Sequence, residues 1–276
     1  LIRRLLVAAL ALHHQKHGAL NLEAHEGAVH TILMNLFIQH KQSAQWKGAI
    51  EFMHVSKSGG SSFCRLAKDN GCRSQNFYRK NCLITDFNDE PRYFDAKVHK
   101  QLAGGAKTRC SKGLKTITYR SKELICHDRR IRLQKKGFTM YANEYTALGG
   151  RMDPALAHAC PNMLTVLEIR HPYSRTLSHI KHAWEWYRIY CGPDRENVYF
   201  AKSGHNTTRW WTALMPAPTN NYLVRSLLGE KVFRLPQGGI TRDHLALAMN
   251  FLAEQYDVVL VLEDQLQFKE GMRYGL

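Results

Sequence analysis

Four short apolar runs, separated by stretches of helical periodicity, constrain the fold of this 276-residue chain more than any other feature. The runs are AIEFMHV (49–55), GFTMYANEY (137–145), MLTVLEI (163–169) and DVVLVLE (257–263). Short apolar runs are typical of buried strands, and strands that alternate with helices are typical of a parallel sheet. The sequence therefore predicts an α/β fold in three layers, with a central parallel sheet flanked by helices.

Helical patterns fill the intervals between these strands. SSFCRLAKDNG (61–71) predicts a helix that ends at its Asn-Gly pair, and a longer helix is predicted to begin at Pro172. The apolar positions of the longer helix are spaced 4, 3, 4, 3 and 4 residues apart, which predicts a buried stripe. They are Tyr173, Leu177, Ile180, Trp184, Tyr187 and Cys191.

A third helix is predicted within TRDHLALAMNFLAEQY (241–256), where Thr241 supplies the N-terminal cap. Before the first strand, residues 1–45 read as a helical N-terminal segment of unassigned role, which leaves residues 46–276 as the main domain. The predicted apolar face of the third helix comprises Leu245, Met249, Leu252 and Tyr256.

The chain is strongly basic, with 39 Lys and Arg against 23 Asp and Glu and a formal net charge of +16. The surplus is concentrated in residues 107–136, which contain 11 basic and 2 acidic residues. Such a charge attracts polyanions, so this segment is a candidate insertion for binding an acidic partner. A solvated loop or helix face explains the run of charge equally well.

The seven cysteines include no CxxC pair, so the sequence predicts no zinc site. In an oxidising compartment they allow three disulfides and one free thiol, with the pairing left open. Asn206-Thr207-Thr208 is a glycosylation sequon, which also fits a secretory lumen. No segment reaches the roughly 20 apolar residues of a membrane span, so an anchor is expected only outside this sequence.

The segment FMHVSKSGGSSF (52–63) places a glycine-rich turn between a predicted strand and a predicted helix. Backbone N–H groups of such a turn can bind an anion, Gly59 and Gly60 allow close approach, and Lys57 adds positive charge. The ATP-binding pattern GxxxxGK[ST] is absent, because Lys57 precedes the glycines. Lys57 is therefore expected to contact a different part of the ligand, and the alternative is a turn that is merely rich in Gly and Ser.

A second anion-binding pattern lies in LEIRHPYSRTLSHI (167–180). Arg170 falls at the end of a predicted strand, and its planar guanidinium can make paired hydrogen bonds to a phosphate. Arg175 and Ser178 follow one helical turn apart, with His182 on the same side and opposite the apolar stripe. This polar face is predicted to meet a ligand, whereas Arg175 or His182 alone would be more typical of a solvated residue.

Together these stretches resemble the membrane-bound, Golgi-type carbohydrate sulfotransferases that use 3′-phosphoadenosine-5′-phosphosulfate (PAPS). The run Lys57-Ser58-Gly59-Gly60-Ser61-Ser62 is similar to the family's loop for the 5′-phosphosulfate. The family's 3′-phosphate site is matched by Arg170, Pro172, Arg175 and Ser178. NNYLVRSLLG (220–229) and the closing helix and strand are similar to the carbohydrate branch, so the matches span about residues 48–264 at the level of motifs.

The resemblance implies a P-loop-like fold for a catalytic domain at 46–276, and transfer of a sulfuryl group from PAPS to a hydroxyl of an acidic glycan without a metal ion. Lys57 would stabilise the oxygen that bridges phosphate and sulfate, where negative charge grows as the bond breaks. For Arg225 an anchoring role in the fold is the alternative. The donor-binding residues that the resemblance implies are Lys57, Ser58, Gly59, Gly60, Ser61, Ser62, Arg170, Ser178 and Arg225.

The acceptor hydroxyl also needs a base, which in this family is a Glu or His between the two donor-binding motifs. Glu144, in MYANEYTAL (140–148), is predicted to be that catalytic base, and an ordinary loop carboxylate is the alternative. The heparan 2-O and 6-O enzymes use His around this region, but this chain has no His between His127 and His158. His99 and His127 are therefore the substitute candidates.

The resemblance further implies a protein of the Golgi lumen, with type II membrane topology when intact, that binds an acidic polysaccharide and not nucleic acid. Protein-tyrosine sulfation is the runner-up, because an acidic peptide suits the same charge. An ATP-dependent kinase is disfavoured by the position of Lys57. A non-catalytic polyanion-binding domain would explain the net charge but not the two ordered motifs.

Overall fold

The structure is a computed structural model of the chain, and it describes residues 26–78, 81–102, 116–191 and 207–276. The predictions that rest on residues 1–25, on residues 107–115 and on Asn206 of the sequon lie outside these ranges. Within the described ranges, no helix is both long enough and apolar enough to cross a membrane.

All four predicted strands are present, and they form one parallel sheet in the order β2-β1-β3-β4. The strands are β1 (Ile50–Met53), β2 (Met140–Asn143), β3 (Leu164–Ile169) and β4 (Val258–Val261). The first three are almost entirely buried, because helical crossovers cover both faces of a parallel sheet. The prediction of an α/β fold with a central parallel sheet flanked by helices is confirmed.

The helices of the described residues include those predicted at 61–71, from Pro172 and at 241–256. The full set is α1 (Glu26–Lys47), α2 (Gly60–Asp69), α3 (Ala96–Leu102), α4 (Cys126–Lys136), α5 (Pro172–Cys191), α6 (Thr208–Leu214), α7 (Tyr222–Leu227), α8 (Glu230–Phe233), α9 (Arg242–Gln255) and α10 (Gln265–Gly275).

Side chains of β1 point alternately into two hydrophobic cores, one on each face of the sheet. On one face, Phe52 stacks on Phe63 of α2, with ring centroids 4.0 Å apart. On the other face, Met53 belongs to a cluster that includes Tyr222 of α7 and Phe251 of α9. Helices therefore cover both faces, and the carboxyl ends of the strands form the edge where open parallel sheets bind ligands.

The first helix, α1, is attached to the C-terminal part of the chain. Phe37 lies edge-to-face with Tyr274 of α10, with ring centroids 5.7 Å apart. Lys47 forms an ion pair of 2.6 Å with Asp257, which directly precedes β4. The described part of the N-terminal segment is thus helical as far as Lys47 and packs on the sheet domain.

The predicted apolar stripe of α5 is buried only in part, because Ile180 and Trp184 pack against a core cluster whereas Tyr173 and Leu177 do not. Tyr173 is 73% exposed and Leu177 is 42% exposed, whereas Arg175 and His179 are buried. Arg175 can be buried because it donates hydrogen bonds to the backbone oxygen of Pro218 and to Nδ1 of His179. Tertiary hydrogen bonding has overridden the hydrophobic pattern in the first two turns of this helix.

The start of α9 is as predicted, and its predicted apolar face is buried only in its second half. Oγ1 of Thr241 accepts a hydrogen bond from the backbone N–H of His244 over 3.4 Å, which confirms the N-terminal cap. Leu245 and Met249 are 48% and 61% exposed, whereas Leu252 and Tyr256 pack in the same core cluster as Phe251.

Two disulfides connect segments around the sheet. Cys64 of α2 is bonded to Cys82, and Cys126 at the start of α4 is bonded to Cys160. Cys72 carries a free thiol. The described residues thus supply two of the three disulfides that the cysteine count allows, with a pairing that the sequence left open.

Candidate functional site: an anion-binding cavity at the carboxyl end of the sheet

The loop between β1 and α2 has the conformation of an anion-binding turn. Lys57 and Gly59 both adopt positive φ angles, 69° and 100°, which bend the chain sharply before the helix. Gly59 is the N-cap of α2, and it provides no side chain to cap the helix. The first N–H groups of a helix have no intrahelical partner, and the helix dipole adds positive charge there. An anion placed at the start of α2 would therefore be stabilised by backbone N–H groups.

This loop forms one wall of a cavity of about 290 Å³ that gathers both anion-binding motifs. The predicted site residues that line it are Lys57, Gly59, Gly60, Ser61, Ser62, Glu144, Arg170 and Ser178. His182 also lines it, as its helical spacing from Ser178 predicted. Three further lining residues, His54, Asn81 and Tyr93, were not predicted.

The two basic residues of the cavity are linked through the loop backbone. Arg170 donates a hydrogen bond from Nη1 to the backbone oxygen of Lys57 over 3.2 Å, and its Nε lies 3.7 Å from Oε1 of Glu263. Burial and the Arg170 guanidinium lower the pKa of the Lys57 ammonium, while the Glu144 carboxylate raises it. The cavity is therefore lined by two cations, Lys57 and Arg170, and by one carboxylate, Glu144, which leaves positive charge for a bound anion.

Glu144 lies at the base of the cavity and is held by hydrogen bonds from the protein. Its Oε1 accepts from the Ser56 hydroxyl over 2.9 Å and from the Tyr93 hydroxyl over 3.2 Å. Its Oε2 lies 3.4 Å from Nδ1 of His54. The side chain is 7% exposed and faces the cavity, which is the geometry of a positioned carboxylate rather than of an ordinary solvated loop residue.

Two tyrosines complete this hydrogen-bond network beneath the cavity. The hydroxyls of Tyr93 and Tyr222 lie 3.2 and 3.1 Å from Oγ of the buried Ser56. Burial raises the pKa of both phenols, and the neighbouring Glu144 carboxylate raises it further. Both tyrosines therefore stay protonated and act as donors, which fixes Ser56 and, through it, the orientation of Glu144.

Asn81 enters the cavity from a segment with no clear sequence periodicity. It adopts a positive φ of 45°, and its Oδ1 accepts a hydrogen bond from the Ser61 hydroxyl over 3.0 Å. The adjacent Cys82 is bonded to Cys64 of α2, so the disulfide ties Asn81 to the helix that begins at the anion loop. The one sequence feature that could have indicated this position of Asn81 is the pair Cys64 and Cys82, but the pairing of the cysteines could not be deduced from the sequence.

Ser58 does not line this cavity, in contrast to the prediction. It is 1% exposed, and its hydroxyl faces a second cavity of about 430 Å³ on the other side of the loop. Arg170 lines both cavities, so they share a wall. The second cavity has many apolar side chains, including Val55, Ile169 and Leu223.

Arg225 is also placed outside the anion-binding cavity, in a structural role. It is completely buried, and its guanidinium donates to several backbone oxygens, including those of Asn220 and Leu235 at 2.6 Å each. A guanidinium whose N–H groups are used this way anchors the loop that follows α8 and has no donors left for a ligand. Of the two roles considered for Arg225, the structure supports anchoring.

The two substitute candidates for the base lie away from the cavity. His99, on α3, is 5% exposed and packs near the ring of Phe94, and burial lowers its pKa. His127, at the start of α4, has a side chain that is 75% exposed and lies 3.6 Å from Asp128. Neither lines the cavity, which leaves Glu144 as the predicted base that does.

The described part of the basic segment, residues 116–136, does not line the cavity either. Arg120 and Arg129 are fully buried, and both form ion pairs with the buried Asp89, at 3.0 and 2.5 Å. For these two arginines the expected contact with an acidic partner is wrong, because their charge is used inside the protein. Lys136 is partly exposed and pairs with Asp86 at 3.0 Å on the outer surface.

Two larger cavities elsewhere on the protein contain neither motif. Cavities of about 660 and 630 Å³ lie beside α1 and α10, and neither is lined by a residue of the anion loop or of the Arg170 segment. Within the described ranges no cluster of His, Cys, Asp and Glu could hold a metal ion. The convergence of charged groups therefore selects the smaller cavity.

Comparisons with known proteins identify no relative: no family model, no curated protein and no solved structure matches this chain.

Proposed function

We propose that this protein is a PAPS-dependent sulfotransferase with a P-loop-like fold, which transfers a sulfuryl group to a hydroxyl of an acidic glycan. The observation that carries the proposal is that Lys57, Arg170 and Glu144, from three separate segments, line one cavity. A cation at the anion loop, a second cation suited to a phosphate and a positioned carboxylate are the groups that this transfer needs.

In this proposal the donor lies across the carboxyl ends of β1 and β3. The backbone of the anion loop, with the hydroxyls of Ser61 and Ser62, binds the 5′-phosphosulfate, and Arg170 with Ser178 binds the 3′-phosphate. The apolar second cavity, which shares Arg170, gives room for a planar base. That room favours a nucleotide over a free sulfate or phosphate as the natural ligand.

The proposed reaction is a displacement at sulfur. Glu144 accepts the proton of the acceptor hydroxyl as that oxygen forms its bond to sulfur. The bond between sulfur and the bridging oxygen breaks, and its electron pair leaves with adenosine 3′,5′-bisphosphate. Lys57 stabilises the negative charge that grows on this oxygen, which is the reason for a lysine at the start of the loop.

The class of acceptor is proposed from charge and compartment. A net charge of +16 favours a polyanionic acceptor, and two disulfides are typical of an oxidising lumen such as the Golgi. The described residues of 116–136 contribute little free charge to the cavity, so acceptor binding is proposed to use Lys57, His182 and basic side chains at the rim of α5 such as Lys181.

A transfer assay tests the proposal. The protein is incubated with radiolabelled PAPS or with radiolabelled ATP, together with a panel of acidic glycans and acidic tyrosine peptides. The proposal expects label from PAPS on a glycan and none from ATP. Sulfation of the peptides alone would move the acceptor to protein tyrosine, and phosphate transfer from ATP, or glycan binding without transfer, would contradict the proposal.

A further inference from the structure

Glu168 is a buried carboxyl group directly beneath the anion loop. It lies near the end of β3 and is 2% exposed, and its Oε2 has no hydrogen-bond partner among the described residues. A Cβ atom placed on Gly59 would overlap this carboxyl group, so Glu168 touches the loop backbone at the N-cap of α2. Buried polar groups without hydrogen-bond partners are rare, and burying an unpaired carboxylate costs free energy of folding. The position of Glu168 beneath the anion loop therefore suggests a functional reason for it.

Neither β4 nor α2 supplies a counter-ion to Glu168. Its register partner on β4 is Leu260, and the buried residues of α2 are uncharged. On the side of β1, the neighbour of Glu168 is the titratable His54, because the preceding residues Met53 and Leu167 are register partners. Nδ1 of His54 lies 3.4 Å from Oε2 of Glu144, so this imidazole already faces another carboxylate.

The cations nearest in the chain are directed elsewhere. Lys57 lies two residues before Gly59, and Arg170 lies two residues after Glu168. Both line the cavity above the loop. Burial alone, without a compensating charge, raises the pKa of Glu168 to about 8. The carboxyl group is therefore uncharged at neutral pH, beside a loop that is built to receive negative charge.

We propose that Glu168 supports the anion site as an uncharged acid, so that the loop binds its anion only while Glu168 keeps its proton. The inference rests on the proposed function, since it takes a nucleotide phosphate as the anion. A carboxylate in this place would repel the bound phosphate through a low-dielectric interior. Conversely, a bound anion favours the protonated acid, so binding takes up a proton in the pH range in which free Glu168 ionises.

The experiment is calorimetric titration of adenosine 3′,5′-bisphosphate into the wild type and into Glu168→Gln, whose amide has the same shape and no charge. At pH 7 the two affinities are expected to agree within about twofold, and at pH 9 the wild type is expected to bind on the order of tenfold more weakly, because about one-tenth of it then holds the proton. Both proteins contain Lys57, so the titration of Lys57 cancels when the affinity of the wild type is divided by that of Glu168→Gln at each pH. Equal pH profiles for the two proteins would overturn the inference.

Proton uptake gives a second readout that needs no change at Glu168. Titrations at pH 8 in buffers of different ionisation enthalpy count the protons taken up on binding. The Lys57→Arg variant excludes Lys57 as the group that takes up the proton, because arginine does not titrate. About half a proton per ligand is expected to persist in Lys57→Arg, and its loss would overturn the inference even if Glu168→Gln failed to fold. A wild type that does not bind the bisphosphate at pH 7 would instead contradict the proposed function, and this inference with it.

Discussion

The Arg170 guanidinium donates a hydrogen bond to the backbone oxygen of Lys57 over 3.2 Å, and this joins two anion-binding motifs that are 113 residues apart in sequence. The contact forms because β1 and β3 are neighbours in the sheet and each motif follows the carboxyl end of its strand. Lys57 has a positive φ, a conformation that costs a non-glycine residue about 1–2 kcal/mol. Arg170 thus helps to hold the loop in the conformation that presents Lys57 to the cavity.

Replacing Lys57 by Ala is expected to reduce sulfuryl transfer by on the order of 10²- to 10³-fold, because the charge that grows on the bridging oxygen loses its cation. Lys57→Arg keeps the positive charge and has the same backbone cost, so it is the matched control and is expected to retain more activity. Transfer rates with radiolabelled PAPS, alongside thermal unfolding of each variant, measure the effect. Turnover of a folded Lys57→Ala protein at the wild-type rate would rule out the role given to Lys57.

Glu144→Gln is expected to lower turnover by roughly 10²- to 10⁴-fold while leaving the affinity for adenosine 3′,5′-bisphosphate within about twofold. The amide oxygen can still accept hydrogen bonds from Ser56 and Tyr93, so the network around it is retained. His127→Ala is the control, since His127 is largely exposed and lies outside the cavity, and it is expected to turn over normally. A fully active Glu144→Gln protein would assign the base to another residue.

A methyl group at Gly59 is expected to disrupt anion binding, whereas one at Gly238 is not. Both glycines have positive φ angles, 100° and 79°, so alanine costs each backbone about 1 kcal/mol. Only at Gly59 does the added Cβ overlap another group, the carboxyl of Glu168. The unfolding free energies of both variants measure the backbone cost, and their affinities for the bisphosphate measure the effect of the overlap with Glu168. Equal affinities would show that the close packing beneath the loop is unimportant.

The two disulfides are expected to differ in their effect on the cavity. Replacing Cys64 and Cys82 by Ser should cost about 2–4 kcal/mol in unfolding free energy and also weaken bisphosphate binding, because Asn81 loses its tie to α2. Replacing Cys126 and Cys160 should cost a similar amount of stability and leave binding unchanged, as neither residue lines the cavity. The same loss of affinity in both double variants would mean that general destabilisation, and not Asn81, is responsible.

The stability of the protein is expected to carry a contribution from Glu168 that falls as the pH rises. The pKa of this acid is raised from 4.5 to about 8 in the folded protein, so the folded state holds the proton that the unfolded state has lost. Between about pH 5 and pH 8 the unfolding free energy should therefore decrease by up to about 1.4 kcal/mol per pH unit from this group. Denaturant unfolding of Glu168→Gln should lack this slope, and parallel pH profiles for variant and wild type would contradict the expectation.

The sequence predicted the parts of the fold and site that depend on the order of elements along the chain. Parallel strands bring their carboxyl ends to one edge of a sheet, so motifs that follow β1, β2 and β3 had to meet there. Lys57, Glu144 and Arg170 line one cavity for this reason.

The sequence predicted some of the residues that line the cavity wrongly and missed others. Ser58 and Arg225 lie within matching motifs, but the turn geometry and a set of backbone acceptors direct them elsewhere. Asn81 and Tyr93 come from a segment with weak periodicity, whose position depends on the disulfide to Cys82 and on tertiary packing. The burial of Arg175 and His179 on α5 was missed because a buried guanidinium with hydrogen-bond partners cannot be recognised from hydrophobic spacing.

The central claim is that one ligand contacts both Lys57 and Arg170, and titration with two nucleotides tests it most directly. Adenosine 3′,5′-bisphosphate and adenosine 5′-monophosphate, which lacks the 3′-phosphate, are titrated into the wild type, Lys57→Ala and Arg170→Ala. The wild type is expected to prefer the bisphosphate by on the order of tenfold, about 1.4 kcal/mol. Lys57→Ala is expected to lower the affinity for both ligands. Arg170→Ala is expected to lose the preference while still binding the monophosphate. Full retention of the preference for the 3′-phosphate in Arg170→Ala would contradict the central claim.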